Sequence, residues 1–431
     1  MVTTHARLRH SKAAFPSERS PLRIAILGYR SDPNVGGQGV YVDYLSQSLA
    51  EAGAHVDVIS GPPYPELTSD VRLLKIPSLD LYAQPHHGHY SLRPRHLLSP
   101  TDTYEYFGHL SGKFVEPYVF GQRAYRFLKQ RLQDYDVILD NQTLANGTLR
   151  IQSSLKLPLV TMIHHPVTQD RTLALEAAQT WRQRWLIRRW YAFHHMQIRV
   201  ARRLNVMTCP SEAAKNDIVD AFGIAPDRIH PIPLGVDQSA FRPRPHIPRS
   251  PKRIISTASA DTPLKGLPVL LTAYRQLLDT HPGLELVVIG KLKNGQARRT
   301  LSELGLEHRV QFKSGLSRQE LAEEFCRAAI AVTPSLYEGF GLPAAEAMSC
   351  GTPVIVTDGG ALPEVAGKAG IVVPRGNANA LATAIADLLG RADARRSVGE
   401  ACLKRAKAEF DWRRIAPRYL SLMEEARAHA C

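Results

Sequence analysis

Cysteine is scarce in this chain of 431 residues: the five present, Cys209, Cys326, Cys350, Cys402 and Cys431, show no CxxC spacing and no paired framework. That excludes a disulfide scaffold and a cysteine-ligated zinc module, and it reads as reduced thiols in a cytoplasmic protein. Long apolar runs are also missing. No stretch of about 18 apolar residues occurs, so no segment reads as a membrane-spanning helix. Acidic residues are in deficit, 40 Asp and Glu against 54 Lys and Arg, for a formal net charge of +14. An excess of this size points to an anionic partner: phosphorylated small molecules, an acidic membrane surface or nucleic acid.

What is present is ordinary for a folded protein, with 44% hydrophobic and 22% charged residues, too apolar for disorder. The length exceeds what one hydrophobic core sustains, so two domains of about 200 residues each are expected. Residues 1–21 are basic and polar, without the apolar stretch of a secretory signal, and read as a tail. The sequons at Asn141 and Asn146 then read as chance.

Residues 22–28 form a short apolar run, followed by Gly36-Gly37-Gln38-Gly39 and by Val42, Leu45 and Leu49 at helical spacing. Gly53 suits a helix C-cap, and residues 56–59 read as the next strand, completing a βαβ unit. Further strands are expected at 137–139, 159–163 and 204–208, an alternation that implies a parallel sheet. Residues 78–113, rich in His, Pro, Tyr and Ser, break the pattern and read as a functional insertion. Prolines then accumulate between Pro231 and Pro251, which marks a linker.

The pattern restarts with a strand at 253–258, a loop carrying Lys265-Gly266, a helix with Leu270, Leu271, Tyr274 and Leu277, and a strand at 284–289. Strands at 310–312, 330–332 and 354–356 fill out a second sheet. The expected fold class is therefore α/β: two Rossmann-like, doubly wound parallel-sheet domains facing across a cleft. Their expected bounds are 22–240 and 253–410, joined by a linker at 241–252. The final segment, 411–431, carries Ile415, Tyr419, Leu420 and Met423 on one helical face and should cross back onto the first domain.

The densest signal is Glu338-Gly339-Phe340-Gly341-Leu342-Pro343, ending in Glu346 one helical turn on. Glycines let bare backbone approach a ligand, and Pro343 suits the first turn of a helix. The amides near Gly341 and Leu342 should thus meet an anion or hydroxyl at a positive helix terminus. Two glutamates eight apart are by themselves what any surface helix offers; after a buried strand and within this glycine-rich turn they read as ligands for sugar and ribose hydroxyls.

This segment resembles the signature of the retaining glycosyltransferases of family 4, which adopt the GT-B fold. The resemblance extends, in order, over Gly36-Gly37, Thr161-Met162-Ile163-His164, Cys209-Pro210-Ser211-Glu212, Pro233-Leu234-Gly235-Val236-Asp237, Lys265-Gly266 and Asp358-Gly359-Gly360 with Glu364, across residues 22–425. It implies transfer of a sugar from a UDP-, GDP- or ADP-sugar donor to an acceptor hydroxyl, with no other cofactor and no metal. It implies catalytic roles for Glu338 at the transferred sugar, Lys265 at the donor diphosphate and His164 near the reacting face, with His165 as its competitor. Donor contacts are implied at Gly37, Lys265, Gly315, Leu316, Glu338, Gly339, Phe340, Gly341, Leu342 and Glu346, the last holding the ribose. It also implies same-face attack, with the departing phosphate taking the acceptor's proton. Where many members have arginine six residues before the lysine, this chain has Ser259. Backbone amides or arginines from elsewhere should then complete the cationic clamp.

Residues 181–203 carry Arg182, Arg184, Arg188, Arg189, Arg199, Arg202 and Arg203, with Trp181, Trp185, Trp190 and Tyr191 between them and no acidic residue. One reading is an interfacial helix on anionic lipid, which suits a lipid acceptor and peripheral attachment to the inner face of the membrane. The other is a half-buried helix with its tryptophans in the core. No nucleic-acid-binding module accompanies the arginines, so nucleic acid is not the expected partner. His86, His87 and His89 read as a solvated loop rather than a metal site. The acceptor stays open among lipid, glycan, protein and small metabolite. The competing functions are an epimerase or a phosphorylase on the same fold, and a non-catalytic nucleotide-sugar-binding protein.

Overall fold

The computed structural model describes residues 20–32, 37–67, 70–88, 90–257, 263–293 and 295–428. Gly36, Ser259, His89, Cys431 and nearly all of the N-terminal tail lie outside them. Two parallel sheets organise the chain. The first has the order β3-β2-β1-β4-β5-β6-β7, from β1 (Arg23–Gly28), β2 (His55–Ser60), β3 (Arg72–Lys75), β4 (Val137–Asn141), β5 (Leu159–Met162), β6 (Val206–Cys209) and β7 (Ile229–Pro231). The second has the order β10-β9-β8-β11-β12-β13, from β8 (Arg253–Thr257), β9 (Glu285–Ile289), β10 (Val310–Lys313), β11 (Ile330–Thr333), β12 (Val354–Thr357) and β13 (Ile371–Val373). The central strands β4, β5, β6, β11 and β12 are buried at every position, as expected of strands covered by helices on both faces.

β3, β7 and β13 escape sequence reading. Two are three residues long, and β3 (Arg-Leu-Leu-Lys) has charged ends, so none has the apolar run that betrays a central strand. The expected insertion is not structureless: among its described residues it holds helices at Pro94–Leu97 and Pro100–Leu110.

Each order reverses direction beside its first strand, between β1 and β4 and between β8 and β11. Loops leaving those two strand pairs diverge to opposite faces and leave a crevice at the carboxyl edge, where ligands of doubly wound sheets bind. The chain crosses between the sheets twice, side by side: Val236 N donates to Phe410 O at 2.7 Å, and Val236 bridges Asp411 in parallel. The helix Trp412–Ala428 then buries Trp412, Ile415, Tyr419 and Met423 against Tyr41, Val42 and Leu45 of the helix Gly37–Glu51. Its apolar face is thus part of the first sheet's core.

Candidate active site

Lys265 and Glu338 come from the two loops that leave the reversal point of the second sheet, after β8 and after β11. Gly266 closes the first loop: it holds φ +62°, and a Cβ there would run into the carbonyl of Pro334. Leu336 N donates to Leu264 O at 2.7 Å, which ties the two loops together. The result is an ion pair, Lys265 Nζ to Glu338 Oε1 at 2.7 Å, with side chains 30% and 12% exposed. Ser335 Oγ donates to the same oxygen at 2.8 Å, so the carboxylate is oriented by two donors from its own domain.

Directly after Glu338 the chain enters the helix Leu342–Ser349, with Gly341 at its N-cap at φ +98° and Pro343 in its first turn. Phe340 is buried and meets Phe410 edge-on at 5.6 Å between ring centroids. Its side chain belongs to the core, and only its backbone is available to a ligand. Glu346 is buried inside the helix, and burial pushes its carboxyl up to about 8, against the attraction of Arg318, with Asp237 adding to the rise.

Between the ordinary carboxylate range near 4.5 and pH 8 the native state holds a proton on Glu346 that the unfolded chain has lost. Stability from this group is full at low pH and is lost as pH rises through 8. Glu346→Gln should therefore melt progressively higher than wild type as pH is raised from 5 to 8. Parallel melting curves across that window would refute the assignment.

His164 lies on the first sheet's side, after β5. Its Nε2 meets Asn141 Oδ1 at 2.8 Å, its backbone amide donates to Gln142 Oε1 at 2.7 Å, and Tyr41 packs edge-on to its ring at 4.9 Å. Because an amide oxygen only accepts, Nε2 carries the proton. Burial first, then neighbouring His165, drives its pKa down to about 3, so the ring is neutral through the working range. His165 instead pairs with Asp170 at 2.9 Å.

The two sides meet at Gly339, where an added Cβ would lie 2.7 Å from His164 O. Ser211 Oγ donates to Gly339 O at 2.9 Å. Three more contacts bind the domains. Glu364 accepts the amides of Glu212 and Ala213 at 2.9 and 2.6 Å, capping a helix of the other domain. Tyr337 OH donates to Asp217 at 2.7 Å. Arg318 reaches across to pair with Asp43 and lies 4.4 Å from the Tyr44 ring centroid.

Of the residues expected from sequence, Lys265, Glu338, Gly339 and His164 converge at this junction, with Gly341 and Leu342 at the adjoining helix start. Gly37 is the first residue of the helix Gly37–Glu51. Gly315, at φ +73°, and Leu316 follow β10, two strands out from β8. Arg318, Asn141, Tyr41 and Ser335 escaped sequence reading. Arg318 sits two residues past the Gly315-Leu316 turn, but nothing local marks it as spanning a cleft.

On the helix Trp181–Trp190 no residue is buried. Trp190 stacks on Phe114 at 5.1 Å, whereas Trp181, Trp185 and Leu186 are 76%, 52% and 52% exposed. Trp190, although packed on Phe114, is still 38% exposed, so none of the helix's tryptophans lies in the core. No helix among the described residues is long and apolar enough to cross a membrane.

Two doubly wound sheets that turn their reversal points toward each other, with an ion pair on one side and a neutral histidine on the other, have the architecture of a GT-B glycosyltransferase. The profile of glycosyltransferase family 4 matches residues 35–240, and that of glycosyl transferases group 1 matches residues 237–405. The chain is 43% identical over 418 residues to the MMP alpha-(1->4)-mannosyltransferase of Mycolicibacterium hassiacum, over 95% of this chain and 100% of that protein. Its fold is shared with a sucrose-phosphate synthase from Thermosynechococcus elongatus (TM-score 0.69, 24% identity, 95% of this chain and 100% of that one). It is shared also with Anabaena HepE in complex with UDP and glucose (TM-score 0.68, 15% identity, 94% and 99%). The chain belongs to the family 4 glycosyltransferases, and its activity is glycosyl transfer.

Proposed function

We propose that this glycosyltransferase moves a mannosyl group from a nucleoside diphosphate donor to a sugar hydroxyl, forming an α-(1→4) bond with retention. The sugar and linkage rest on the 43% identical relative, whose name states both. Retention follows because nucleotide sugars carry mannose in α linkage. The observation that carries the reading is the Lys265–Glu338 pair at 2.7 Å beside the start of the helix Leu342–Ser349.

In this mechanism Lys265 and the amides at Gly341 and Leu342 stabilise the charge that grows on the diphosphate as the C1–O bond breaks. Glu338 and the backbone of Gly339 hold the sugar's hydroxyls, and Glu346 takes the ribose. The backbone at Gly315 and Leu316 borders the base, and Gly37 faces the phosphates from the other domain. The acceptor oxygen bonds to C1 on the face the phosphate leaves, and its proton passes to the departing phosphate oxygen. His164, neutral and held by Asn141, orients the sugar by hydrogen bonding and does not act as the acid. The test is incubation with GDP-, UDP- and ADP-sugars and a mannoside acceptor, with NMR assignment of the product's anomeric centre. Transfer giving a β product, or no transfer from any of the three, ends this reading.

The exposed Trp181 and Trp185 between Arg182, Arg184 and Arg188 support peripheral attachment to an anionic membrane surface. The protein should co-sediment with phosphatidylglycerol vesicles at low salt and be released as salt screens the charges. Arg182→Glu with Arg188→Glu should cut partitioning about tenfold or more. Indifference to vesicle charge would remove the membrane from the picture.

A further inference from the structure

The first domain holds a second, strongly basic cavity of about 510 Å³. It opens at the carboxyl end of β3, on the edge from which the catalytic loops also leave. Lys75, Arg95, His96, Arg123 and Arg126 line it, with Asp102 as its acidic wall residue. Lys75, Arg95 and Arg126 are exposed and form no ion pair among the described residues.

Arg123 is different: its side chain is 12% exposed. Its Nη2 donates to Asp102 Oδ1 and to Glu105 Oε2, both at 2.5 Å. Its Nη1 is buried and has no hydrogen-bond partner among the described residues. Leaving one arm of a guanidinium unsatisfied is costly, more so than for a neutral donor. The two carboxylates take both hydrogens of Nη2 and pin the group, so a single arm, Nη1, is left in a fixed orientation beside Lys75, Arg95 and Arg126. Cationic donors gathered around one cavity are what an oxyanion requires, and their charge-assisted hydrogen bonds to phosphoryl oxygens are stronger than neutral ones.

We propose that this cavity is a second ligand site, apart from the donor cleft, that binds the phosphoryl group of a small molecule. The group is either borne by the acceptor or carried by a free anion that tunes transfer. None of the cations belongs to the Lys265–Glu338 cluster, so the site is tested separately from the transfer reaction.

The experiment titrates inorganic phosphate, against sodium chloride of equal ionic strength, into the full chain, into Lys75→Ala/Arg126→Ala and into Lys265→Ala. Melting temperature and calorimetric heat are the readouts. Phosphate should stabilise wild type and Lys265→Ala alike and bind the double variant at least about tenfold more weakly. Because both removed side chains are exposed, the double variant should fold. A phosphate response that survives in the double variant, or that vanishes in Lys265→Ala, overturns the proposal. Two further arms separate the sources. If the acceptor bears the group, the double variant raises KM for a phosphorylated hexose about tenfold and leaves a neutral acceptor unchanged. If the anion is free, phosphate alters the rate with a neutral acceptor in wild type and not in the double variant.

Discussion

Lys265→Ala should lower kcat by about 10²–10³-fold while leaving the melting temperature nearly unchanged. The side chain is 30% exposed and its single described ion pair is with Glu338, so little native stability depends on it. On the proposed mechanism, by contrast, the growing charge on a departing diphosphate is met by Lys265 together with the backbone amides at the helix start. Glu338→Gln should cost a comparable factor for a different reason. The neutral amide keeps the shape and an acceptor oxygen for Lys265 and Ser335, both of which donate to Oε1, but it carries no charge to hold the ammonium as an ion pair. Because the two residues act as one unit, the double variant should be hardly slower than either single one. Full additivity of the two losses, measured as kcat/KM at saturating acceptor, would mean that the pair does not work together.

Gly339→Ala should reduce kcat about 10–100-fold with little loss of thermal stability. The added methyl would lie 2.7 Å from His164 O and 3.5 Å from His165 Cβ, closer than carbon and oxygen tolerate. The backbone there is also held from the other side by Ser211. The strain is relieved by parting the two domains, because each sheet's own core lies elsewhere. Parting them separates Lys265 and Glu338 from His164. Gly390→Ala is the control: a Cβ at that position meets nothing within 4 Å, and transfer should be unaffected. Equal activity of Gly339→Ala and wild type would show that close approach at this junction is not needed for transfer.

Much of the fold was legible because buried parallel strands leave continuous apolar runs. β1, β4, β5, β11 and β12 each lie where such a run ends in a glycine, a proline or a polar turn. The short edge strands β7 and β13 have no such signature, since an edge needs little burial to pair. The site was legible wherever chemistry is local. Glu338, Gly341 and Pro343 sit within six residues, and the strand, the turn and the helix start each impose a residue type there.

The partners that orient those groups were not legible. Arg318 meets Asp43 and Glu364 meets the Glu212–Ala213 amides across well over a hundred residues of sequence. Asn141 read as a chance sequon and turns out to hold His164. Such pairs exist only once two sheets are set against each other, and a charged residue on a loop looks the same in sequence whether it faces solvent or a partner.

Local composition by itself determined the alternation of strand and helix, the glycine turns and the cluster of glycines and glutamates from Glu338 to Glu346, because backbone preference and burial act within a few residues. Tertiary structure alone decided which histidine is neutral and which pairs with Asp170, that Phe340 turns inward, that Trp181 stays outside while Trp190 packs, and that Arg123 keeps an unpaired arm. These depend on desolvation and on distances of about 3 Å between distant segments, which chain order does not encode.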